Sequence, residues 1–222
     1  MTTYTTPEPI SAVLDMPAGR IEFVAAERGD TTVEVLPADP KKSRDVKVAE
    51  EAQVGYADGV LQILVPTKNQ YFGPSGSVAV SVHLPAGSEV RVKVASAELK
   101  AVGRFAGFTV ESAHGTIDLD EVAAAHVTTS AGDVHVAKLN GPAEIRTSKG
   151  DIKIAEAVQG EVVLRTDAGN VEIGAAAGVS ASLDAGTATG RISNSLNNTA
   201  GAAAELSIRA TTSVGDIIAR GL

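Results

Sequence analysis

The chain has 222 residues, no cysteine and 27 acidic against 19 basic residues, for a formal net charge of −8. Its length suits one elongated domain or two ordinary ones. Without cysteine there is no disulfide framework and no thiolate chemistry, and the acidic balance leaves no basic patch for nucleic acid.

In chain order, residues 1–9 read as a flexible tail with two prolines. The opening Met1-Thr-Thr-Tyr-Thr-Thr-Pro-Glu8 has neither a basic nor an apolar signal region, and no apolar run approaches the roughly 20 residues that span a bilayer. The expectation is a cytoplasmic protein without membrane insertion. Residues 10–222 read as a single domain, with 10–94 as less regular coils and a cap and 95–222 as regular repeats. Val13–Phe23 reads strand, turn, strand through Met16-Pro-Ala-Gly19, and the phrase returns at Leu84-Pro-Ala-Gly87. Between them come Thr32–Leu36, the charged loop Pro37–Arg44, extended Asp45–Ala49 and Val60–Val65, with the turn cluster Gly55–Gly59. Lys68–Gly76 reads as one long loop. Val90–Val94 with Ser96 is a degenerate copy of the repeat that begins in full at Phe108, with Leu99 in the place of a glycine.

From Phe108 to Ile173 one phrase is written four times, with glycines at Gly115, Gly132, Gly150 and Gly169 spaced 17, 18 and 19 residues apart. Such a period marks a repeat array. Each copy alternates apolar and polar residues on both sides of its glycine, as in strands with one buried face. The parity slips at the glycine, so the chain turns a corner there. Stacking like on like gives an all-β, single-stranded parallel β-solenoid of about 18 residues per coil. Its interior columns are Val110/Val127/Ile145/Leu164 and Ile117/Val134/Ile152/Val171; its outward columns are Asp118/His135/Lys153/Glu172 and Glu111/Thr128/Arg146/Arg165. A hydroxyl three residues before each glycine (Ser112, Thr129, Thr147, Thr166) is placed to bond backbone at the bend. After residue 173 the period stretches to Gly190 and Gly215, with insertions at Gly174–Gly178 and Ser195–Ala204. Helix is nearly absent on this reading, apart from a turn at Ala200–Ala204.

The Met16-Pro-Ala-Gly and Leu84-Pro-Ala-Gly turns, the Tyr56-Ala-Asp-Gly-Val-Leu segment and the Thr-x-x-Gly-Asp/Asn copies together resemble the bacterial DUF4097 family, β-strand-repeat proteins labelled "putative adhesin". The resemblance runs from about Ile10 to Leu222. It implies a right-handed parallel β-helix and surface attachment, and it supplies no catalytic residues.

The residues after the glycines, Asp133, Asp151 and Asn170, form an acidic ladder if the coils stack. Close carboxylates can bind calcium or act as an acid/base pair, whereas Gly-Asp and Gly-Asn are also ordinary turn dipeptides. His83, His114, His126 and His135 lack a convergent third ligand, and no serine sits in a nucleophile elbow. The expectation is therefore no enzyme, no cofactor and no metal, with Thr129, Gly132, Thr147, Gly150, Thr166 and Gly169 as structural turn residues. Function reads as a scaffold or adhesin-like module presenting a repetitive acidic surface to an unidentified protein partner. The alternatives are a polysaccharide-acting β-helix enzyme on the Asp133/Asp151 edge and a self-assembling cytoplasmic scaffold. Because Leu206–Leu222 holds the last glycine copy and little beyond it, the C-terminal coil reads as a bare end through which two copies meet. The competing expectation is that Ser195–Ala204 folds across that end, with Asn197 and Asn198 supplying hydrogen bonds.

Overall fold

Alternating Val, Ile and Leu produce parallel strands through most of the chain, and the glycines mark where those strands bend. The computed structural model describes residues 1–66 and 76–222. These form two compact units, Met1–Gly115 and Thr116–Leu222. All but the last residue of the expected loop Lys68–Gly76 lies outside the described residues.

The first unit contains β1 (Thr2–Thr5), β2 (Ser11–Ala26), β3 (Asp30–Pro37), α1 (Ser43–Glu50), β4 (Gln53–Ala57), β5 (Val60–Leu64), β6 (Val78–Pro85), β7 (Glu89–Phe105) and β8 (Gly107–His114). Strand β2 lies between β5 and β6 on one side and β7 on the other, all parallel, and β7 continues to β8. The first long strand in the sequence is thus an inner one. Antiparallel strands close the outer side: β3 on β6, β1 on β3 and β4 on β5. Residues 2–5, expected as tail, are therefore paired, and the Thr6 and Thr31 hydroxyls bond at 2.7 Å beneath them. Phe23, Phe105 and Phe108 are fully buried, with Phe108 edge-on to the other two at 6.0 and 5.2 Å.

Three local expectations change here. Asp45–Ala49 lies in helix α1 because Lys, Arg, Glu and Ala around it favour helix over a four-residue alternation. The two Pro-Ala-Gly phrases do different things: Gly19 is a corner within continuous β2, whereas Leu84–Gly87 turns the chain from β6 into β7. In the degenerate copy, Ser96 pairs with His114, which puts Ala97 rather than Leu99 in the register of Gly115.

The second unit contains β9 (Ile117–Val122), β10 (Ala125–Ala131), β11 (Val134–Leu139), β12 (Ala143–Lys149), β13 (Ile152–Ala157), β14 (Gly160–Ala168), β15 (Val171–Ala175), β16 (Ala181–Thr189), β17 (Ile192–Ser195), β18 (Leu206–Val214) and β19 (Ile217–Gly221). Each coil is two strands joined at a glycine corner. One wall stacks β10, β12, β14, β18 and β16; the facing wall stacks β9, β11, β13, β15, β19 and β17. The columns follow the expected register: Ile117, Val134, Ile152 and Val171 lie one above another, and each is at most 1% exposed.

The stack departs from chain order at its end. β18 and β19 pair with β14 and β15 on one side and with β16 and β17 on the other. The C-terminal coil is therefore an inner coil, and the expectation that it is a bare end is corrected: the outermost coil is Ala181–Ser195. One inward column and the apolar content of the last segment explain the exchange. Val136, Ile154, Ile173 and Ala219 are buried, while the next member, Asn194, is exposed. Chain order would instead bury the Asn194 amide between Ile173 and Ala219, at a cost of about 1–3 kcal/mol. The apolar series Leu206, Ile208, Ala210, Ile217 and Ala219 is better placed in the interior, where each is at most 1% exposed.

Candidate functional site

The most regular polar feature of the second unit is its glycine corner. Gly150, Gly169, Gly215 and Gly190 have φ between 144° and 154°, and a Cβ on any of them would fall 1.9–2.2 Å from the glycine carbonyl oxygen of the neighbouring coil. Only glycine allows this close backbone approach. The same carbonyls accept hydrogen bonds from the threonines. Thr147 donates to Gly132 O at 3.4 Å, Thr166 to Gly150 O at 3.0 Å, Thr212 to Gly169 O at 2.9 Å and Thr187 to Gly215 O at 3.0 Å. The hydroxyl thus ties coil to coil rather than bracing its own bend. Ser112 does act locally, donating to His114 O. Thr129 is 4% exposed, and its Oγ1 has no partner among the described residues.

The acidic ladder exists and has the same use. Asp133 Oδ1 accepts from Asp151 N at 2.9 Å, and Asp151 Oδ1 from Asn170 N at 2.7 Å. Asn170 Oδ1 then accepts from Asp216 N at 2.9 Å, and Asp216 Oδ1 from Arg191 N at 2.8 Å. Each side chain caps the corner of the next coil, so one oxygen of every member is already committed to backbone. That last bond, with help from the Arg191 guanidinium, holds the Asp216 carboxyl below its ordinary range. No three His, Cys, Asp or Glu side chains among the described residues are grouped to hold a metal ion.

The ladder stops at Arg191, which has no acceptor for a further coil. The residue after Gly190 was legible as Arg rather than Asp or Asn; its meaning needed the coil order.

The outward columns carry paired charges. Glu144 meets both His126, at 3.4 Å, and Arg146. Asp118 and His135 approach at 3.6 Å, and Glu172 takes Lys153 at 3.2 Å and Arg220 at 3.0 Å. Arg146 and Arg165 do stack, but each has its own carboxylate, Glu144 and Asp167. Separately, the first unit has an open depression of about 400 Å³ with Arg20, Ser77, Ser96 and Glu98 on its wall. Its single lining carboxylate, Glu98, is ion-paired to Arg20 at 3.6 Å, so it offers no acid/base pair.

The sequence profile of the family described as Toastrack DUF4097 matches residues 13–219. The chain belongs to this family. Similar solved structures include a "putative adhesin" from Bacteroides fragilis NCTC 9343, 12% identical over 98% of this chain and 95% of the other, with a TM-score of 0.45. Another, a "putative cell adhesion protein" from Clostridium sporogenes ATCC 15579, is 13% identical over 100% of this chain and 98% of the other, with a TM-score of 0.38. No curated protein matches. At this distance the structural likeness carries no statement about function. Among the described residues of this DUF4097 chain, no helix is long and apolar enough to cross a membrane.

The stack of the second unit ends at the coil Ala181–Ser195, and the Ser195–Ala204 insertion covers one corner of it. Ala181 N donates to Asn197 O at 2.9 Å, Ser180 Oγ meets Asn198 Oδ1 at 3.3 Å, and Thr199 and Ala200 N–H groups donate back to Ser180 Oγ at 3.2 and 3.0 Å. The expected Asn197 and Asn198 bonds are thus made, Asn197 through its carbonyl to Ala181 N and Asn198 to the Ser180 hydroxyl. They cap Ala181–Ser195 rather than the C-terminal coil. Beyond that corner Ile192 is 46% exposed.

Proposed function

We propose that this chain is a non-enzymatic scaffold or adhesin-like module that meets protein partners through the outward faces of its stacked strands. The observation that supports this reading is the fate of the repeated polar groups. Threonine hydroxyls and corner Asp/Asn oxygens are consumed in coil-to-coil hydrogen bonds, leaving exposed columns of regularly spaced charge. Such faces suit another protein surface better than a small substrate, which needs a concave site with convergent groups. The corner Asp133 and Asp151 side chains are exposed while bonding backbone, so the presented edge is repetitive and acidic, in keeping with the net charge of −8. A cytoplasmic location fits the absence of cysteine.

Replacing Asp133 and Asp151 together by Asn keeps every capping oxygen and removes two charges. The variant should melt close to the parent while capturing less partner protein from host extract, with parent capture falling as salt rises. Loss of a reproducible glycan-cleaving activity in that variant would overturn the non-enzymatic reading. Equal, salt-independent capture by parent and variant would overturn the acidic edge.

A further inference from the structure

We propose that the slot between the coils 160–175 and 181–195 is a strand-acceptor site whose second ligand is the C-terminal segment Leu206–Leu222 of another copy of this chain. The inference goes beyond what the outer faces bind and does not depend on it.

Four observations carry it. First, the slot offers a parallel partner on both sides: β18 and β19 pair in register with β14 and β15 below and with β16 and β17 above. Second, both corner ladders pass through the inserted segment. Thr212 Oγ1 and Asp216 N bond Gly169 O and Asn170 Oδ1, while Gly215 O and Asp216 Oδ1 receive Thr187 Oγ1 and Arg191 N. Third, by the same register the outer coil can close directly onto β14 and β15 when the slot is empty. Thr187 then takes the place of Thr212, and Ile192 that of Ile217. The empty slot would then have its own backbone pairing, with Asn194 over Ile173 in place of Ala219, so the segment displaces a poorer set of contacts. Fourth, the link to the segment is short and exposed. Residues 197–200 are held at Ser180 and Ala181, so the chain can redirect itself over Gly201–Glu205, where Gly201 already has φ 58°. Those five residues reach roughly 17 Å when extended, enough to pass a coil to an adjacent molecule.

Recognition is by backbone pairing plus a side-chain pattern: Leu206, Ile208, Ala210, Thr212, Ile217 and Ala219 inward, with Gly215-Asp216 at the corner. A segment with those features is supplied by a second copy. Exchange then yields a closed dimer in which the pairings of β18 and β19 with β14, β15, β16 and β17 are remade between chains.

The absence of native cysteine makes the test clean. Arg165 and Thr211 face outward as direct neighbours on β14 and β18, at the strand spacing of about 4.8 Å, within disulfide reach. Arg165→Cys and Thr211→Cys chains are mixed, unfolded and refolded together at hundreds of micromolar, diluted and then oxidised. Exchange predicts a 165–211 link between chains in a fraction that rises with refolding concentration, alongside a dimer in sedimentation. The double variant Arg165→Cys/Thr211→Cys refolded when dilute should link within one chain, which checks the register. Interchain linking no greater than that of Arg165→Cys alone would overturn the proposal. So would a dimer lacking the 165–211 link, since the copies would then be meeting at the outermost coil.

Discussion

Each unit puts a coil from its own chain terminus inside the stack, yet the two units finish their outer sides in different ways. In the first, β2 is an inner strand, and the coil outside it is covered by antiparallel β3, β1 and β4. In the second, β18 and β19 are inner strands, and the coil outside them has one capped corner and small residues along the rest. Antiparallel strands satisfy an edge by hydrogen bonding it. The outer side of the second unit is managed by composition: Ala, Ser, Gly and Thr in β16, Asn194 at an inward position and Arg191 where a capping acceptor would be. An uncovered edge is a template for another strand. The contrast shows that a coil stack can be ended by pairing its last strand or by making that strand a poor platform.

The largest effect expected from this contrast is between inner and outer members of one column. Ile152→Asp buries an unpaired carboxylate and should cost several kcal/mol, lowering Tm by more than about 10 °C. Ile192→Asp, at the half-open end, should stay within about 1 kcal/mol in the same thermal melt. Equal losses would mean that Ile192 is covered in solution. Next come two glycines: Gly169→Ala drives a Cβ to 2.0 Å from Gly150 O, whereas Gly186 on the outer coil has nothing within 4 Å. The first should cost about 2 kcal/mol or more and the second within about 0.5 kcal/mol. A third pair compares threonines. Thr166→Val removes a bond to Gly150 O and should cost about 1 kcal/mol, while Thr129→Val removes a hydroxyl without a partner and should be neutral or stabilising.

The smallest effect is a pH dependence at the end coil. Asp216 is held below its ordinary value of 3.8 by the Arg191 backbone N–H and, in smaller part, by its side chain. A carboxyl lowered in the folded state adds stability above its unfolded value, and that contribution disappears as pH falls through the folded one. The protection of amides near Arg191, taken relative to the intrinsic exchange rate at each pH, should therefore fall below about pH 4, before that of the interior coils. Asp216→Asn, which retains an acceptor oxygen, should remove this step.

The periodic glycines and threonines made the coils and both interior columns readable, because each coil repeats the same bend and the same close approach. Coil order was not readable for the same reason. Thr187 and Thr212, or Ile192 and Ile217, are interchangeable by pattern, and the decision rests on Asn194 and Arg191, single departures whose weight depends on which coil lies outside. Helix α1 was hidden because Asp45-Val-Lys-Val-Ala alternates briefly in an otherwise helix-forming stretch. The corner Asp/Asn ladder was visible as a column, but its chemistry was not: spacing alone cannot distinguish a carboxylate that waits for a cation from one that accepts the next coil's N–H.

The inner position of β19 also sets how the fold responds to a pull. A strand at the margin of a sheet peels from a single neighbour, one hydrogen bond after another, under little tension. Tension applied at Leu222 meets a strand gripped by β15 and β17 together, with Leu222 N itself bonded to Ala175 O at 3.0 Å. Two ladders must yield before the segment slides free, and the coil Ala181–Ser195 loses its seat when they do. A tether at this terminus would therefore hold like a wedge between two boards, firm until it releases, then giving up two coils at once.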